Sequence, residues 1–290
     1  MNHRKKKAEV AIIGGGIMGV STAYHLAKRG LSDVVILEKD LLAQASTGLS
    51  VGGIRQQFSH PANIRLSQES VKVFERFQEE FGVDIRFCQV GYLFLAQKQE
   101  TWIEFLANVE TQRSLGVPVE TLSPQEISRR WPYLNVSDVK GGTFGPRDGY
   151  ADPYQAAMGY ANSARRLGVR IEEKTKVIGI KLKSGRVQGI ETSNGPIFSP
   201  VVVNAAGPWA GEVAKMAGLD LPVTPYRRQV FMTKPFAAIP KPVPMVIDQD
   251  MTFYFRGEDP GILMGMSDPN EPSSFNLNVC LLYTSDAADE

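Results

Sequence analysis

Val10-Ala11-Ile12-Ile13-Gly14-Gly15-Gly16-Ile17-Met18-Gly19 decides the fold. Four apolar residues in line read as a buried strand, the glycines as a tight turn, and the residues after them as a helix. Gly14 permits the turn, Gly16 lets backbone amides approach a pyrophosphate, and Gly19 lets helix and strand pack closely. The N-terminal N–H groups and dipole of such a helix favour an anion. Val34-Val35-Ile36-Leu37 is the next apolar run and closes on Glu38, an acid placed to accept hydrogen bonds from a ribose diol. Strand before, helix after and acid beyond together predict a dinucleotide site, where G-x-G-x-x-G alone would be a weak sign.

Composition is compatible with that expectation and removes others. The chain has 290 residues, 43% of them hydrophobic, enough for one large or two modest cores. No apolar run approaches the length of a membrane-spanning helix. The basic start leads into a strand and not into a signal-peptide core, so a solvated tail and a cytoplasmic location are expected. A net charge of +1 argues against nucleic acid as the main partner. His3, His25 and His60 have no ligand spacing, and two cysteines supply neither a disulfide framework nor a metal cluster. The last eleven residues, 280–290, match the translation of a transposase-type sequencing adapter codon for codon. They are read as foreign, which leaves Cys88 as the one genuine cysteine.

Punctuation along the chain predicts the rest. A helix over 18–29 with Gly30 behind it leads to the second strand, and a loop of small residues over 45–53 follows. Helical spacing of Ile64, Val71, Phe74, Phe77 and Phe81 predicts one long helix over 61–81. Residues 91–96 read as a buried strand, 101–115 as a helix, and Ser123-Pro124-Gln125-Glu126 as a capping box. Asp152-Pro153 starts a helix to 167, with a strand at 169–171 behind it. Residues 177–183 and 187–192 form a hairpin at Ser184-Gly185, and Asn194-Gly195 signals a type I′ turn. An apolar strand over 201–203 runs into Asn204-Ala205-Ala206-Gly207 and a helix over 209–217. Strand-like pieces lie at 229–233, 252–255 and 262–266. Two interleaved domains account for this order: a nucleotide domain over 8–82 and 141–218, and a substrate domain over 83–140 and 219–279.

Regular β-α units do not follow the second strand, and here the chain resembles a known family. Gln44-Ala45-Ser46-Thr47-Gly48-Leu49-Ser50-Val51-Gly52-Gly53-Ile54-Arg55-Gln56-Gln57-Phe58 is similar to the flavin loop of the D-amino-acid oxidase, glycine oxidase and sarcosine oxidase family. The segments 91–96, 148–153 and 203–209 agree with that family in order and spacing. The resemblance implies an α/β (α+β) fold, a Rossmann-like FAD-binding domain interleaved with an antiparallel-sheet substrate domain, with the family's closing C-terminal elements missing. It implies FAD held by Gly14, Gly16, Gly19, Glu38, Ser46, Thr47, Gly48, Gly52, Val177, Ala206 and Gly207. Val177 reads equally as a buried strand valine.

The activity implied is oxidation of the C–N bond of a small amine or amino acid, sarcosine-, dimethylglycine-, glycine- or D-amino-acid-like, by hydride transfer to the flavin. Arg55 is the first candidate for a carboxylate clamp, its alternative being an ordinary ion pair. Tyr254 and Arg256 are further candidates, their alternative being a core aromatic and an exposed charge. Family members that bind flavin covalently place a histidine beside the Ser-Thr pair, but this chain has Gly48-Leu49, so non-covalent FAD is expected. No lysine occurs from Asp248 to Ser267, where monomeric sarcosine oxidases carry one that promotes reaction with oxygen. A dehydrogenase with another electron acceptor is therefore favoured. The alternative is a flavoprotein with mainly an assembly or partner-binding role, as in a family branch that serves respiratory complex I assembly.

Overall fold

A computed structural model describes residues 6–236 and 238–278; the run 280–290 lies outside them. The described residues fall into two compact units. One is built from residues up to 53, 69–88 and 150–224, the other from 54–68, 89–149 and 225 onward.

The first unit is organised on a four-stranded parallel sheet in the order Val201–Asn204, Val10–Ile13, Val34–Leu37, Arg170–Glu172. Both central strands are buried throughout, as continuous apolar runs covered on two faces must be. Helix Ile17–Lys28 makes the crossover between them, and Pro153–Arg166 precedes the strand Arg170–Glu172. Asp152 caps the latter helix by accepting the Gln155 N–H at 2.9 Å, with proline at the first helical position. On the opposite face Ala11, Ile13, Val35 and Leu37 meet Val177, Ile190 and Ile197 of a three-stranded antiparallel meander. Its hairpin turns through Ser184 and Gly185, both at positive φ, as a type I′ turn requires. The second turn differs from expectation. Gly195 N–H donates to Thr192 O across Ser193 and Asn194, and only Gly195 has positive φ, so it closes the turn and is not at its centre.

The long helix expected over 61–81 is two helices, Pro61–Glu75 and Phe77–Phe81, divided at Arg76 (φ −117°, ψ 20°). The break lets Phe77 and Phe81 stack on one another and meet the edge of Tyr160. That gain in aromatic packing is something helical periodicity does not register.

The second unit is a seven-stranded sheet in the order Gln229–Met232, Gly261–Met266, Phe253–Glu258, Met245–Asp248, Tyr92–Ala96, Gly141–Gly145, Glu120–Leu122. Neighbours are antiparallel except Met245–Asp248 beside Tyr92–Ala96, which run parallel. The long connection from Ala96 to Met245 makes that parallel pair feasible, so the expected antiparallel sheet is mixed. Gly141–Gly145, placed with the nucleotide domain by the boundaries above, lies inside this sheet, and residues 54–68 join the same unit. Leu93, Leu95, Leu122, Phe144 and Val246 pack one face onto Ile127, Trp131 and Val139. The expected capping box is present at helix Pro124–Arg130: Ser123 Oγ accepts the Glu126 N–H, and the Glu126 carboxylate accepts the Ser123 N–H at 2.7 Å.

Candidate functional site

In the first unit the glycines do three different jobs. Gly14 has φ +113°, and a Cβ there would sit 2.3 Å from Ala205 O. Gly19 would place a Cβ 1.9 Å from Gly14 O, so a side chain at that point would push the helix off the turn. Gly16 is the N-cap of helix Ile17–Lys28 and brings no side chain; a Cβ would meet Thr47 Oγ1 at 3.0 Å. The first turn of that helix holds no acidic residue, so its dipole faces no carboxylate of its own.

Two side chains from the following segments reach this helix start. Thr47 Oγ1 accepts the Ile17 N–H at 3.0 Å, and Glu38 Oε2 accepts the Gly15 N–H at 2.7 Å. The other Glu38 oxygen accepts the Asp40 N–H at 2.9 Å, which fixes the carboxylate at the strand end with lone pairs to spare. Beside it Lys39 Nζ lies 3.2 Å from the centroid of the Trp209 ring, a cation–π contact absent from the sequence expectations.

The small-residue loop is tightly folded. Gly48 donates its N–H to Ala43 O, and a Cβ on it would lie 2.2 Å from that oxygen; at Gly52 (φ +68°) a Cβ would lie 2.0 Å from Ala151 O. Ser46 on the same loop is exposed. Val177 buries its side chain in the core between sheet and meander. At the carboxyl end of Val201–Asn204, Ala206 donates to Asn204 Oδ1 at 3.3 Å, and Gly207 (φ +53°) has open space where a Cβ would be. Thus Gly14, Gly16, Gly19, Glu38, Ser46, Thr47, Gly48, Gly52, Val177, Ala206 and Gly207 all belong to one unit.

The second unit gathers Arg55, Tyr254 and Arg256. Paired residues of a sheet share a face, and so do residues two apart. The register Phe94↔Ile247, Ile247↔Tyr254 and Arg256↔Leu263 therefore puts Tyr92, Phe94, Tyr254 and Arg256 on the face opposite the Leu93–Phe144 core. The half-buried Arg55 guanidinium joins them, 4.5 Å from the ring centroid of Phe58 and 5.2 Å from that of Phe94. Burial holds its pKa below the ordinary arginine range, and among the described residues no carboxylate lies within ion-pair distance of it. Arg256 differs: it is buried, donates to Gly257 O at 2.8 Å and pairs with Glu258 at 2.5 Å. Tyr254 lies across Gly265, where a Cβ would come 2.3 Å from its hydroxyl, and burial raises its pKa.

Two residues outside the sequence candidates complete this cluster. Tyr92 is buried, and desolvation pushes its phenol pKa up strongly. Asp148 is fully buried, and burial pushes its carboxyl pKa up to about 6 against hydrogen bonds from Gln57 and Gln56 and the charge of Arg55. A folded-state value above the ordinary 3.8 means that the protonated form favours folding. That contribution is full below pH 3.8 and lost as pH rises through 6, about 3 kcal/mol in all. Asp148→Asn removes the titration, so its melting temperature relative to wild type should climb from pH 4 to pH 7. A difference independent of pH in paired thermal melts would contradict the burial account. Arg55 acts through its charge on both Asp148 and Tyr92, and Asp148 and Arg256 also act on Tyr92.

A parallel sheet with a glycine turn, an acid at the second strand's end and a meander defines a dinucleotide-binding fold. The DAO family model, described as FAD dependent oxidoreductase, matches residues 9–287, and the chain belongs to that family. It is 35% identical over 271 residues to mitochondrial dimethylglycine dehydrogenase of Rattus norvegicus, covering 92% of this chain and 32% of that protein. The chain thus spans about a third of the length of the dimethylglycine dehydrogenases it matches. Among solved structures, L-proline dehydrogenase from P. horikoshii superposes with a TM-score of 0.88 at 34% identity, over 97% of this chain and 75% of that one. Glycine oxidase from Bacillus cereus gives 0.78 at 26% identity, over 96% and 76%. Among the described residues no helix is long and apolar enough to cross a membrane.

FAD fits the first unit on two grounds. Gly16, the N-cap of helix Ile17–Lys28, puts no side chain between the helix start and a pyrophosphate, and the first turn of the helix itself holds no acid, the Glu38 carboxylate lying on the Gly15 N–H before it.

Proposed function

We propose that this chain carries the nucleotide and substrate-sheet parts of an FAD-dependent oxidoreductase that oxidises the C–N bond of a small α-amino or N-alkylated amino carboxylate. The observation that carries it is Arg55: a half-buried guanidinium over two aromatic rings, with no carboxylate partner among the described residues. A planar cationic fork kept desolvated and without an ion-pair partner is suited to a carboxylate supplied by a ligand. The named substrates of the three relatives, dimethylglycine, proline and glycine, share a carboxylate on the carbon that bears nitrogen.

FAD, when bound, supplies the two-electron acceptor for that carbon. In this chain Gly14, Gly16 and the start of helix Ile17–Lys28 would hold its pyrophosphate, Glu38 its ribose, and Val177 its adenine through the backbone. Ser46, Thr47, Gly48, Gly52, Ala206 and Gly207 would line the rest, without a covalent link. Arg55 binds and orients the carboxylate. Tyr254 and the aromatic face around Tyr92 and Phe94 shield the substrate from water, and Arg256, already compensated by Glu258, adds background potential more than a second clamp.

The test is an anaerobic titration of the FAD-loaded full-length protein with dimethylglycine, sarcosine, glycine and proline. At least one should bleach the yellow flavin absorbance, and no response to the whole panel would overturn the substrate class. The lysine-free stretch 248–267 leads us to expect that the reduced protein passes electrons to an artificial acceptor faster than to oxygen.

A further inference from the structure

We infer that Asp148 is the positioning residue of the Arg55 clamp: it pins the backbone next to Arg55 while leaving the guanidinium itself unbridged. This rests on the proposal that Arg55 receives a substrate carboxylate. Asp148 has no exposed surface. Its Oδ1 accepts the Gln56 N–H at 2.9 Å, which fixes the peptide joining Arg55 to Gln56. Its Oδ2 accepts from Gln57 Nε2 at 3.1 Å, and the same nitrogen donates to Tyr92 O at 3.2 Å. The segment Arg55-Gln56-Gln57 is thereby tied to the strand whose Phe94 ring lies under the guanidinium.

Three details favour a device for holding Arg55 over ordinary core filling. A buried carboxylate close to an arginine normally bridges it. Asp148 acts on Arg55 through its charge, yet no ion pair joins them. It accepts three hydrogen bonds from Gln56 and Gln57 and none from Arg55, so it eases the desolvation of Arg55 without occupying its donors. Gly145 adds a steric observation. A Cβ there would lie 2.6 Å from Asp148 Oδ2 and 2.8 Å from Gln57 Nε2, although the residue has no positive φ that would call for glycine. The strand is bare where the carboxylate–amide pair needs room. Gln57 Oε1, finally, is buried with no hydrogen-bond partner. The amide is turned so that both its protons serve Asp148 and Tyr92 O, at the expense of its own oxygen.

The experiment is calorimetric titration of the FAD-loaded full-length protein with propionate and with its uncharged amide, propionamide. Wild type should prefer propionate. Asp148→Asn should weaken propionate about tenfold, leave propionamide unchanged, and have no further effect in an Arg55→Lys background. Gly145→Ala, which crowds the pair while keeping both side chains, should act in the same direction and decides the matter on the same criteria if Asp148→Asn does not fold. Propionate affinity within twofold of wild type in a folded variant overturns the inference, as does a full additional loss in the Arg55→Lys background. Equal binding of propionate and propionamide by wild type overturns the clamp reading itself, a separate failure that takes this inference with it.

Discussion

Gly19→Ala should destabilise the first unit by about 3 kcal/mol, the upper part of the range for overpacking a well-filled core. Its Cβ would lie 1.9 Å from Gly14 O, and the atom in the way is backbone, which no side-chain rotation can move aside. Helix Ile17–Lys28 must then lift off the turn, and the amides at its start move with it. Cofactor retention and stability should therefore fall together: a melting temperature lower by roughly 5–10 °C, and a reduced FAD-to-protein ratio after gel filtration of the full-length protein. Gly30→Ala is the matched control. Gly30 has φ +94° but open space around a would-be Cβ, so the change costs only backbone strain of about 1 kcal/mol and leaves FAD content alone. Equal FAD loss in the two variants, or none in Gly19→Ala, would contradict the close-approach account.

The first unit was largely legible because its signals are local. A buried strand, a glycine turn and a helix start each leave their mark within a few residues, and the sheet Val10–Ile13, Val34–Leu37 and Val201–Asn204 follows from apolar runs alone. The second unit hid more, for a physical reason. Gly141-Gly142-Thr143-Phe144-Gly145 has little intrinsic strand preference, and its glycines are there to make room for distant groups. A Cβ on Gly141 would strike the Trp102 ring at 2.8 Å, and one on Gly142 would lie 2.9 Å from Phe94 O. Met245–Asp248 was missed in the same way: its place beside Tyr92–Ala96 is set by a pairing across a long stretch of chain.

The candidate site divides along the same line. Gly14, Gly16, Gly19 and Glu38 could be read from spacing, whereas Arg55 came only with the resemblance of its loop. Tyr254 and Arg256 share a face by the two-residue period of a strand, yet nothing local tells that Glu258 already compensates Arg256 and that Arg55 lacks such a partner. Asp148 was quoted within a family-like run and not singled out. A lone aspartate before glycine reads as a turn residue, and its burial appears only when Gln56, Gln57 and Tyr92 are brought around it.

Arg55→Lys should lower kcat/KM for a carboxylate-bearing substrate by about 10²- to 10³-fold, the loss expected when one member of a desolvated charge pair is removed. Lysine keeps the charge but not the planar fork, and it cannot stack on Phe58 and Phe94 as guanidinium does. Stability should respond in the opposite sense. Burial already disfavours the charged guanidinium, and no ion pair among the described residues offsets that cost. Arg55→Met, which fills the same space without a buried charge, should therefore melt at or above the wild-type temperature while losing at least as much activity as Arg55→Lys. A residue kept for binding at the expense of folding behaves this way; one kept for an ordinary ion pair loses stability when replaced. FAD content should match wild type in both variants, because the glycine cradle and Glu38 belong to the other unit. Steady-state kinetics, thermal melts and flavin absorbance on the same preparations check all three expectations. Turnover within threefold of wild type at equal flavin content would remove Arg55 from the site.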